Sequence, residues 1–423
     1  MQTRPIPKDL PENCDEPPAF GCVLFDSQDM PGPGWACISD GATPSKPIRI
    51  ASTGDLDTDI VWVSNLNFQS IRQARLNTHA KIRREDFFRG SLYQLASELG
   101  FRLHEDPLNA IAVIAILVGR TMRAGQSLYG LPLLQETLKD SLLVKIRARD
   151  SKSGNHLSPS GPPVLQSALE QAFQARQKCE GRIPRGTQTI AFRWPRAEYA
   201  RLLMGYPIPS GEWEYAEFPS NVPDHLMYDK LIEIANERPV LCRVAIRDVE
   251  PDFQTLFSFG NEHSQRLWAP VHEVAALARH AKIKVKDMFV AARHERLGEI
   301  DALRLPTHEA GAIDQVSLSA GLLYENHWVG LASKQYVRAA QKSTVSPLAV
   351  WLRAWDRLLC FKAAIAFHQA GHHVTSYGIG AVNVALWPQH YRAAVDLASS
   401  LNMAAPLLTL KDMVTEERAA KVG

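Results

Sequence analysis

The chain lacks the sequence signatures of several common protein classes. Its six cysteines are scattered and form no Cys-x-x-Cys pair, so neither a zinc ribbon nor a dithiol redox motif is expected. The longest apolar run, residues 110–119, is too short to cross a bilayer. The first residues are rich in proline and acidic side chains, unlike the basic and apolar segments of a signal peptide. We therefore expect a reduced, cytoplasmic protein without a membrane segment.

Positive and negative charges are almost balanced. The chain has 47 Lys and Arg against 45 Asp and Glu, a net charge of +2. This balance permits nucleic-acid binding without arguing for it. With 423 residues, 45% of them hydrophobic and 22% charged, the chain is an ordinary globular sequence long enough for two or three domains.

The order of strand-like and helix-like segments predicts an α/β protein in two halves. In the first half, short apolar segments predict strands at 21–25, 35–38, 48–51 and 60–63, and helical spacing predicts helices over 87–99 and 108–122. A Ser/Gly/Pro-rich stretch at 151–163 predicts a linker. In the second half we expect strands at 189–192, 240–246 and 382–386, and helices over 164–178, 196–204, 271–281 and 339–370.

A glycine-rich segment follows the last of these helices. Residues 375–382 read Thr-Ser-Tyr-Gly-Ile-Gly-Ala-Val, and residues 354–358 of the helix read Ala-Trp-Asp-Arg-Leu. This arrangement resembles the palm of family B DNA polymerases, especially the protein-primed branch, where the hairpin after such a helix carries two metal-binding aspartates. Here Gly378 and Gly380 stand in both places. Glycine has no side-chain oxygen for the divalent ions that phosphoryl transfer needs.

Two further segments resemble motifs of the same family in the same order. Residues 189–200 resemble the first palm motif, where a strand ends in an aspartate; Trp194, or Arg193 after a shift of one residue, stands at that place. Residues 322–330 resemble the fingers motif, which Asn326 matches. The motif's lysine, which would neutralise the phosphates of a nucleotide, is replaced by Leu322.

The first half resembles the proofreading exonuclease of that family, which is an RNase H-like domain. The resemblance places the metal ligands of the exonuclease at Asp26, Gln28, Gln69 and Asn109. Only Asp26 is a carboxylate, whereas two-metal hydrolysis needs several carboxylates to hold its ions close together.

The resemblance implies an α/β protein with an RNase H-like, inactive exonuclease-type domain at 19–150. A palm-type domain with reduced fingers and thumb follows at 164–423, and residues 1–18 form a flexible N-terminus. It implies a catalytically inactive protein, without a cofactor, that binds single-stranded or primer–template-like DNA or RNA. Alternatively it braces a nucleoprotein complex with a protein partner, in replication or defence of a mobile element.

The nucleic acid is expected in a groove between the two halves. Loss of acidic metal ligands leaves such a cleft less negative, so that arginines and an aromatic ring can hold a phosphate backbone. The residues expected to contact it are Arg182, Arg185, Arg193, Trp194, Arg196 and Asn326.

Other functions remain open at this point. A metal-dependent nuclease would use relocated carboxylates, namely Asp26, Asp57, Asp59 and Asp106. A purely protein-binding scaffold would have its cleft filled by side chains. An unrelated two-domain α/β protein would match the motifs by chance.

Several apolar side chains are expected in the core. Trp351 and Trp355 lie four residues apart on one predicted helix, a spacing that places both on one face. Cys22 and Cys360 lie in apolar stretches. Trp194 either packs in the core or stacks on a base, and its sequence context does not decide between the two.

Overall fold

The structure is a computed structural model. It describes residues 20–39, 43–75, 82–83, 107–129, 157–173, 177–179, 181–219, 221–256, 268–296, 325, 328–337 and 342–405. The chain divides into two compact units, one of residues 1–97 and 101–134, the other of residues 98–100 and 135–423. Within the ranges just given, no helix has the length and apolar character that a bilayer crossing requires.

The first unit is built on a mixed five-stranded sheet. Its strands are β1 Phe20–Phe25, β2 Gly34–Ser39, β3 Ile48–Ile50, β4 Val61–Ser64 and β5 Ile82–Arg83, and its helices are α1 Phe68–Gln73 and α2 Pro107–Tyr129. The strand order is β3-β2-β1-β4-β5; β2 is antiparallel to both of its neighbours, and β4 and β5 run parallel to β1. The four predicted strands are confirmed to within one residue. The helix predicted at 108–122 is confirmed and is longer, whereas the one predicted at 87–99 lies outside the described residues.

Both faces of this sheet are covered. One face packs around Val23, Phe25 and Trp62, and helix α2 packs against β1 and β2. Gly21 is required by this packing, because a Cβ there would lie 2.3 Å from Cε3 of Trp62. Cys22 is fully buried, as expected from its apolar context. The alternation of side chains along central strands with two covered faces explains why β1 is apolar throughout.

The described residues of the second unit form three sheets. Its strands are β6 Gln177–Lys178, β7 Gln188–Arg193, β8 Pro207–Glu217, β9 Val240–Arg247, β10 Trp268–Pro270, β11 Lys282–Arg296, β12 Gln335–Val337, β13 Lys342–Thr344, β14 His373–Tyr377 and β15 Ala381–Leu386. Its helices are α3 Leu165–Ala172, α4 Arg196–Met204, α5 Met227–Glu237, α6 Val271–Leu277, α7 Pro347–Gln369 and α8 Tyr391–Ser400. The strand orders are β10-β9-β11-β8, β12-β13, and β6-β14-β15-β7, which we name the hairpin sheet.

Three predicted helices of this unit were too long. The helix predicted at 164–178 ends at Ala172, and residues 177–178 form an edge strand of the hairpin sheet. The helix predicted at 271–281 ends at Leu277. The prediction of one helical stretch over 339–370 was wrong for residues 342–346, of which Lys342–Thr344 form strand β13, while residues 339–341 lie outside the described residues. Ser346 caps helix α7 by accepting a hydrogen bond from the amide of Ala349 at 3.0 Å, and the proline occupies the first turn, where no amide donor is needed.

The predicted linker is in part an element of the second unit. The carbonyl of Ser160 accepts a hydrogen bond from the amide of Trp213 at 2.8 Å. A Cβ at Gly161 would lie 2.8 Å from the carbonyl oxygen of Trp213, so the backbone passes close to β8 here. Residues 160–161 therefore pack against β8, and the rest of the predicted linker before residue 157 lies outside the described residues.

Helix α7 runs through the core of the second unit. Trp351 is buried on it, as predicted, while Trp355 is half-buried. The helix also carries a buried ion pair, in which Nε and Nη2 of Arg357 donate to the two carboxylate oxygens of Glu273, both at 2.9 Å. A bidentate pair of this kind offsets the cost of removing two charges from water, but only while both partners remain.

Trp355 stacks with two other rings. Its centroid lies 4.3 Å from that of Tyr206 and 3.8 Å from that of His272, with interplanar angles of 15° and 12°. Its indole Nε1 donates to the carbonyl of Pro207 at 2.9 Å. Burial lowers the pKa of His272 to about 3, so this imidazole is neutral in the folded protein.

We expect His272 to make the protein sensitive to acid. Its pKa in the unfolded chain is about 6.5, so between that pH and about 3 the unfolded state binds the extra proton, and stability falls as pH falls. The slope from this group is at most about 1.4 kcal/mol per pH unit. Urea denaturation of wild type and His272→Phe from pH 7 to 4.5 should show a shallower loss for the variant; equal slopes would contradict the assignment.

Candidate functional site

The turn between β14 and β15 has an unusual backbone. Three successive residues have positive φ, namely Gly378 at +123°, Ile379 at +58° and Gly380 at +62°. The amide of Gly378 donates to the carbonyl of Ala381 at 2.9 Å, which closes a two-residue hairpin loop. Such loops need two residues in the left-handed region, where a β-branched side chain is a genuine outlier. Ile379 therefore requires support from the surrounding structure.

Asp356 supplies that support from helix α7. Its Oδ2 accepts a hydrogen bond from the amide of Ile379 at 2.5 Å, and its Oδ1 accepts one from the amide of Gly380 at 2.8 Å. The hydroxyl of Tyr199 donates to the same Oδ1 at 2.6 Å. Burial, together with the adjacent carboxylate, raises the pKa of Tyr199 well above its ordinary value, so the phenol remains a donor. We name this group, Asp356 with Tyr199 and the amides of Ile379 and Gly380, the turn clamp.

The end of strand β7 meets the same turn. Arg193 pairs with Ala381 across the sheet, and the amide of Trp194 donates to the carbonyl of Gly380 at 3.2 Å. Nη1 of Arg193 donates to the carbonyl of Ile379 at 3.2 Å. The structure therefore brings together four residues that the sequence placed at the degenerate palm centre, Arg193, Trp194, Gly378 and Gly380.

A carboxylate that was not predicted to belong to the site neutralises the two arginines at this point. Glu325 is fixed through both of its oxygens, Oε1 accepting from Nη1 of Arg193 at 2.9 Å and Oε2 from Nε of Arg196 at 2.6 Å. Its side chain is 6% exposed, and those of the arginines are 15% and 13% exposed. Arg193 and Arg196, which were expected to contact a phosphate backbone, are thus already paired with the carboxylate of Glu325. We name these three residues the buried ion triad.

Trp194 is part of the packed structure. Its ring stacks on Tyr199 with a centroid distance of 5.2 Å and an interplanar angle of 17°. Its Nε1 donates to the carbonyl of Leu401 at 3.1 Å. The core alternative for Trp194 is therefore favoured over base stacking.

The donor atoms around the turn do not fit a pair of divalent ions. The Asp356 oxygens already accept four hydrogen bonds, the fourth from the thiol of Cys360, and those of Glu325 are held by two guanidinium groups. A two-ion centre needs several carboxylates directed at one point. Across the described ranges, no three His, Cys, Asp or Glu side chains gather as a ligand set.

Arg182 and Arg185 lie at the opposite end of the hairpin sheet from the turn. The register pairs Arg193 with Ala381 beside the turn and Gln188 with Leu386 at the far end, and the segment 181–187 precedes Gln188. The sheet length between the two ends, five residue steps, is roughly 17 Å. These arginines are therefore not neighbours of Arg193 and Trp194, in contrast to the prediction. Asn326 and Leu322 lie outside the described residues.

In the first unit, the predicted exonuclease ligands do not form a carboxylate centre. Asp26 follows strand β1 and pairs with Arg49, whose Nη1 and Nη2 donate to its two oxygens at 2.9 and 2.5 Å. These hydrogen bonds lower the pKa of Asp26. The side chains of Gln28, Gln69 and Asn109 are exposed. Asp26, one of the carboxylates that a relocated nuclease site would use, is therefore already paired with Arg49. Asp106 lies outside the described residues.

Asn65 fixes the loop that carries Asp26 and Gln28. Its side-chain oxygen accepts from the amide of Phe25 at 2.9 Å, and its side-chain nitrogen donates to the carbonyl of Phe25 at 2.8 Å. The amide of Asn67 donates to the carbonyl of Gln28 at 3.0 Å. The backbone of Gln28 thus lies at the start of helix α1, which carries Gln69.

Asp356 and Glu325 were not predicted from the sequence as site residues. A signal for Asp356 was present, because it is one of few charged residues in the largely apolar helix α7 and must find donors when buried. No comparable signal pointed to Glu325, whose partners Arg193 and Arg196 are 132 and 129 residues away in the chain.

Comparison with known proteins gives only structural similarity. No family model matches the chain, and no curated protein matches its sequence. Among solved structures, the chain is similar to phi29 DNA polymerase in complex with primer–template DNA and incoming nucleotides, with a TM-score of 0.42, 11% identity, and coverage of 67% of this chain and 54% of that one. For phi29 DNA polymerase with single-stranded DNA the corresponding values are 0.41, 12%, 67% and 53%. The chain spans about half the length of these polymerase chains.

A side chain at Gly380 should destabilise the protein. A Cβ there would lie 3.0 Å from Cδ1 of Tyr199, in addition to the cost of φ +62°. We expect Gly380→Ala and Gly380→Asp to lower the free energy of unfolding by about 1–3 kcal/mol. Gly371→Ala is the matched control, since Gly371 also has positive φ, at +81°, but open space around it. Chemical denaturation measures the free energies of unfolding. Equal losses for Gly380→Ala and Gly371→Ala would show that the contact with Tyr199 does not contribute.

Removing only the two arginines of the buried ion triad should destabilise the protein more than removing all three charged side chains. Arg193→Leu/Arg196→Leu leaves Glu325 buried without its two cations, and we expect a loss of about 3–5 kcal/mol. Adding Glu325→Leu removes the uncompensated charge, so the triple variant should be more stable than the double variant. Urea midpoints measure both, and a triple variant less stable than the double would contradict this expectation.

Proposed function

We propose that this protein is a catalytically inactive, family B polymerase-like protein that binds nucleic acid. The observation that carries the proposal is the condition of the carboxylates beside the hairpin turn. Asp356 belongs to the turn clamp and Glu325 to the buried ion triad, so each serves an internal role in place of metal binding. A polymerase centre requires carboxylate oxygens that are directed at exchangeable ions.

Two features of the described fold support the polymerase-like interpretation. The end of β7 meets the turn of the β14–β15 hairpin, and helix α7 precedes that hairpin, which is the order that the resemblance implies for palm motifs. The mixed sheet of the first unit, with antiparallel strands followed by parallel ones, supports an RNase H-like domain. A role in replication or defence of a mobile element remains part of the proposal.

A second candidate function is that of a protein-binding scaffold. Arg193, Trp194 and Arg196, three residues expected to bind nucleic acid, all have intramolecular partners. This observation favours a cleft filled by its own side chains. The two candidates differ in one measurable property, which is salt-dependent affinity for nucleic acid.

The purified chain should neither extend a primer nor degrade single strands with Mg²⁺ or Mn²⁺. It should nevertheless bind single-stranded or primer–template oligonucleotides with an affinity that falls as salt rises, because phosphate contacts release counterions. Primer-extension gels, nuclease gels and fluorescence anisotropy test the three statements. Template-directed extension would contradict the proposed inactivity, and absence of binding at low salt would favour the scaffold.

A further inference from the structure

The hairpin sheet and the segments at its ends are free of acidic residues over long stretches. Residues 181–197 and 366–395 contain no Asp or Glu. The same stretches contain five arginines and four histidines: Arg182, Arg185, Arg193, Arg196, Arg392, His368, His372, His373 and His390. Glu325 neutralises Arg193 and Arg196, so the unbalanced positive charge of these stretches is that of Arg182, Arg185 and Arg392.

The register of the hairpin sheet brings two segments together at the end of the sheet away from the turn. Gln188 pairs with Leu386, and His373 pairs with Ala385, so residues just before Gln188 and just after Leu386 lie at one end. The ring of His390 lies 5.7 Å from that of Trp387 and 6.4 Å from that of His372. We name residues 181–187 together with 387–392 the distal surface.

The segment 181–187 is anchored just before its start, at Cys179, and has one hydrogen bond within it. The amide of Cys179 donates to the carbonyl of Thr375 at 3.0 Å, and the hydroxyl of Thr187 donates to the carbonyl of Pro184 at 2.7 Å. A Cβ on Gly181, which has φ +122°, would lie 3.1 Å from Cε1 of His373. The segment is therefore partly preorganised, and this reduces the conformational entropy that is lost on binding.

Three basic side chains and one apolar side chain of the distal surface are exposed to solvent. Arg182, Arg185 and Arg392 are exposed, and within the described part of the chain none of them has a carboxylate partner. Ile183, between the first two, is 50% exposed. Trp387 is half-buried. The surface differs in this respect from the buried ion triad, where both arginines are already neutralised.

We propose that the distal surface is the binding site for single-stranded nucleic acid. This inference rests on the proposed nucleic-acid-binding function and moves its site away from Arg193 and Trp194. Arg182, Arg185 and Arg392 contact phosphates, while Ile183 and Trp387 contact base faces. Exposed cations beside apolar and aromatic groups are the combination that holds single strands without reading their sequence. A surface that bound an acidic protein by charge alone would have no need for Ile183 to be exposed between the arginines.

The test is fluorescence anisotropy of the full chain with a labelled single-stranded oligonucleotide of about 20 nucleotides, a length that exceeds common single-strand site sizes. For Arg182→Ala/Arg185→Ala, the slope of log affinity against log salt should fall by roughly 1.4, about 0.7 for each phosphate that the variant no longer neutralises. Arg182→Lys/Arg185→Lys should retain most of the slope. Ile183→Ser should lower affinity at unchanged slope.

The matched control is Arg247→Ala/Arg296→Ala, which removes the same charge from exposed positions at the ends of β9 and β11. This variant should bind as wild type does. Equal slopes and affinities for wild type and the Arg182/Arg185 double variant would overturn the distal surface and leave the proposed function standing. Absence of wild-type binding would overturn the proposed function itself. Competition by poly-glutamate as effective as that by unlabelled oligonucleotide would show a surface that recognises charge alone, which also overturns the proposal.

Discussion

The second unit depends on one carboxylate, that of Asp356. It accepts the amides of Ile379 and Gly380 and the hydroxyl of Tyr199, so it joins helix α7, helix α4 and the hairpin turn at one buried point. A buried carboxylate without donors is costly, and a β-branched residue at positive φ is strained. The cost of burying the carboxylate and the strain at Ile379 offset each other, because the strained turn presents the two amides that the carboxylate needs.

The charged side chains near Asp356 are also paired with one another, because a buried charge needs a partner. Arg193 reaches both the carbonyl of Ile379 and the carboxylate of Glu325, which connects the buried ion triad to the turn. Arg357, the next residue of helix α7, forms a separate pair with Glu273. The centre of the unit is thus filled by groups that satisfy one another. Cations remain available to a partner where the sheet meets solvent, at the distal surface.

Elements with strong local sequence patterns could be predicted, whereas contacts between residues far apart in the chain could not. Strands β1 to β4 are short apolar segments and were predicted to within one residue. The long strand β11 was not predicted, because register shifts between Val285 and Asp287 and between Ala291 and Arg293 interrupt its alternation. Helices α5 and α8 were missed. At the candidate site, the meeting of Trp194 with Gly380 followed from motif order, whereas the pairing of Glu325 with Arg193 joins distant segments that no local pattern connects.

The turn clamp also affects how the hairpin exchanges with solvent. Backbone amide protons in a two-residue hairpin loop ordinarily face water and are replaced by deuterium quickly. Those of Ile379 and Gly380 donate to a carboxylate that is fully buried beneath the turn. We therefore expect their exchange to require separation of helix α7 from the turn, and to be slower than that of amides in an ordinary hairpin loop.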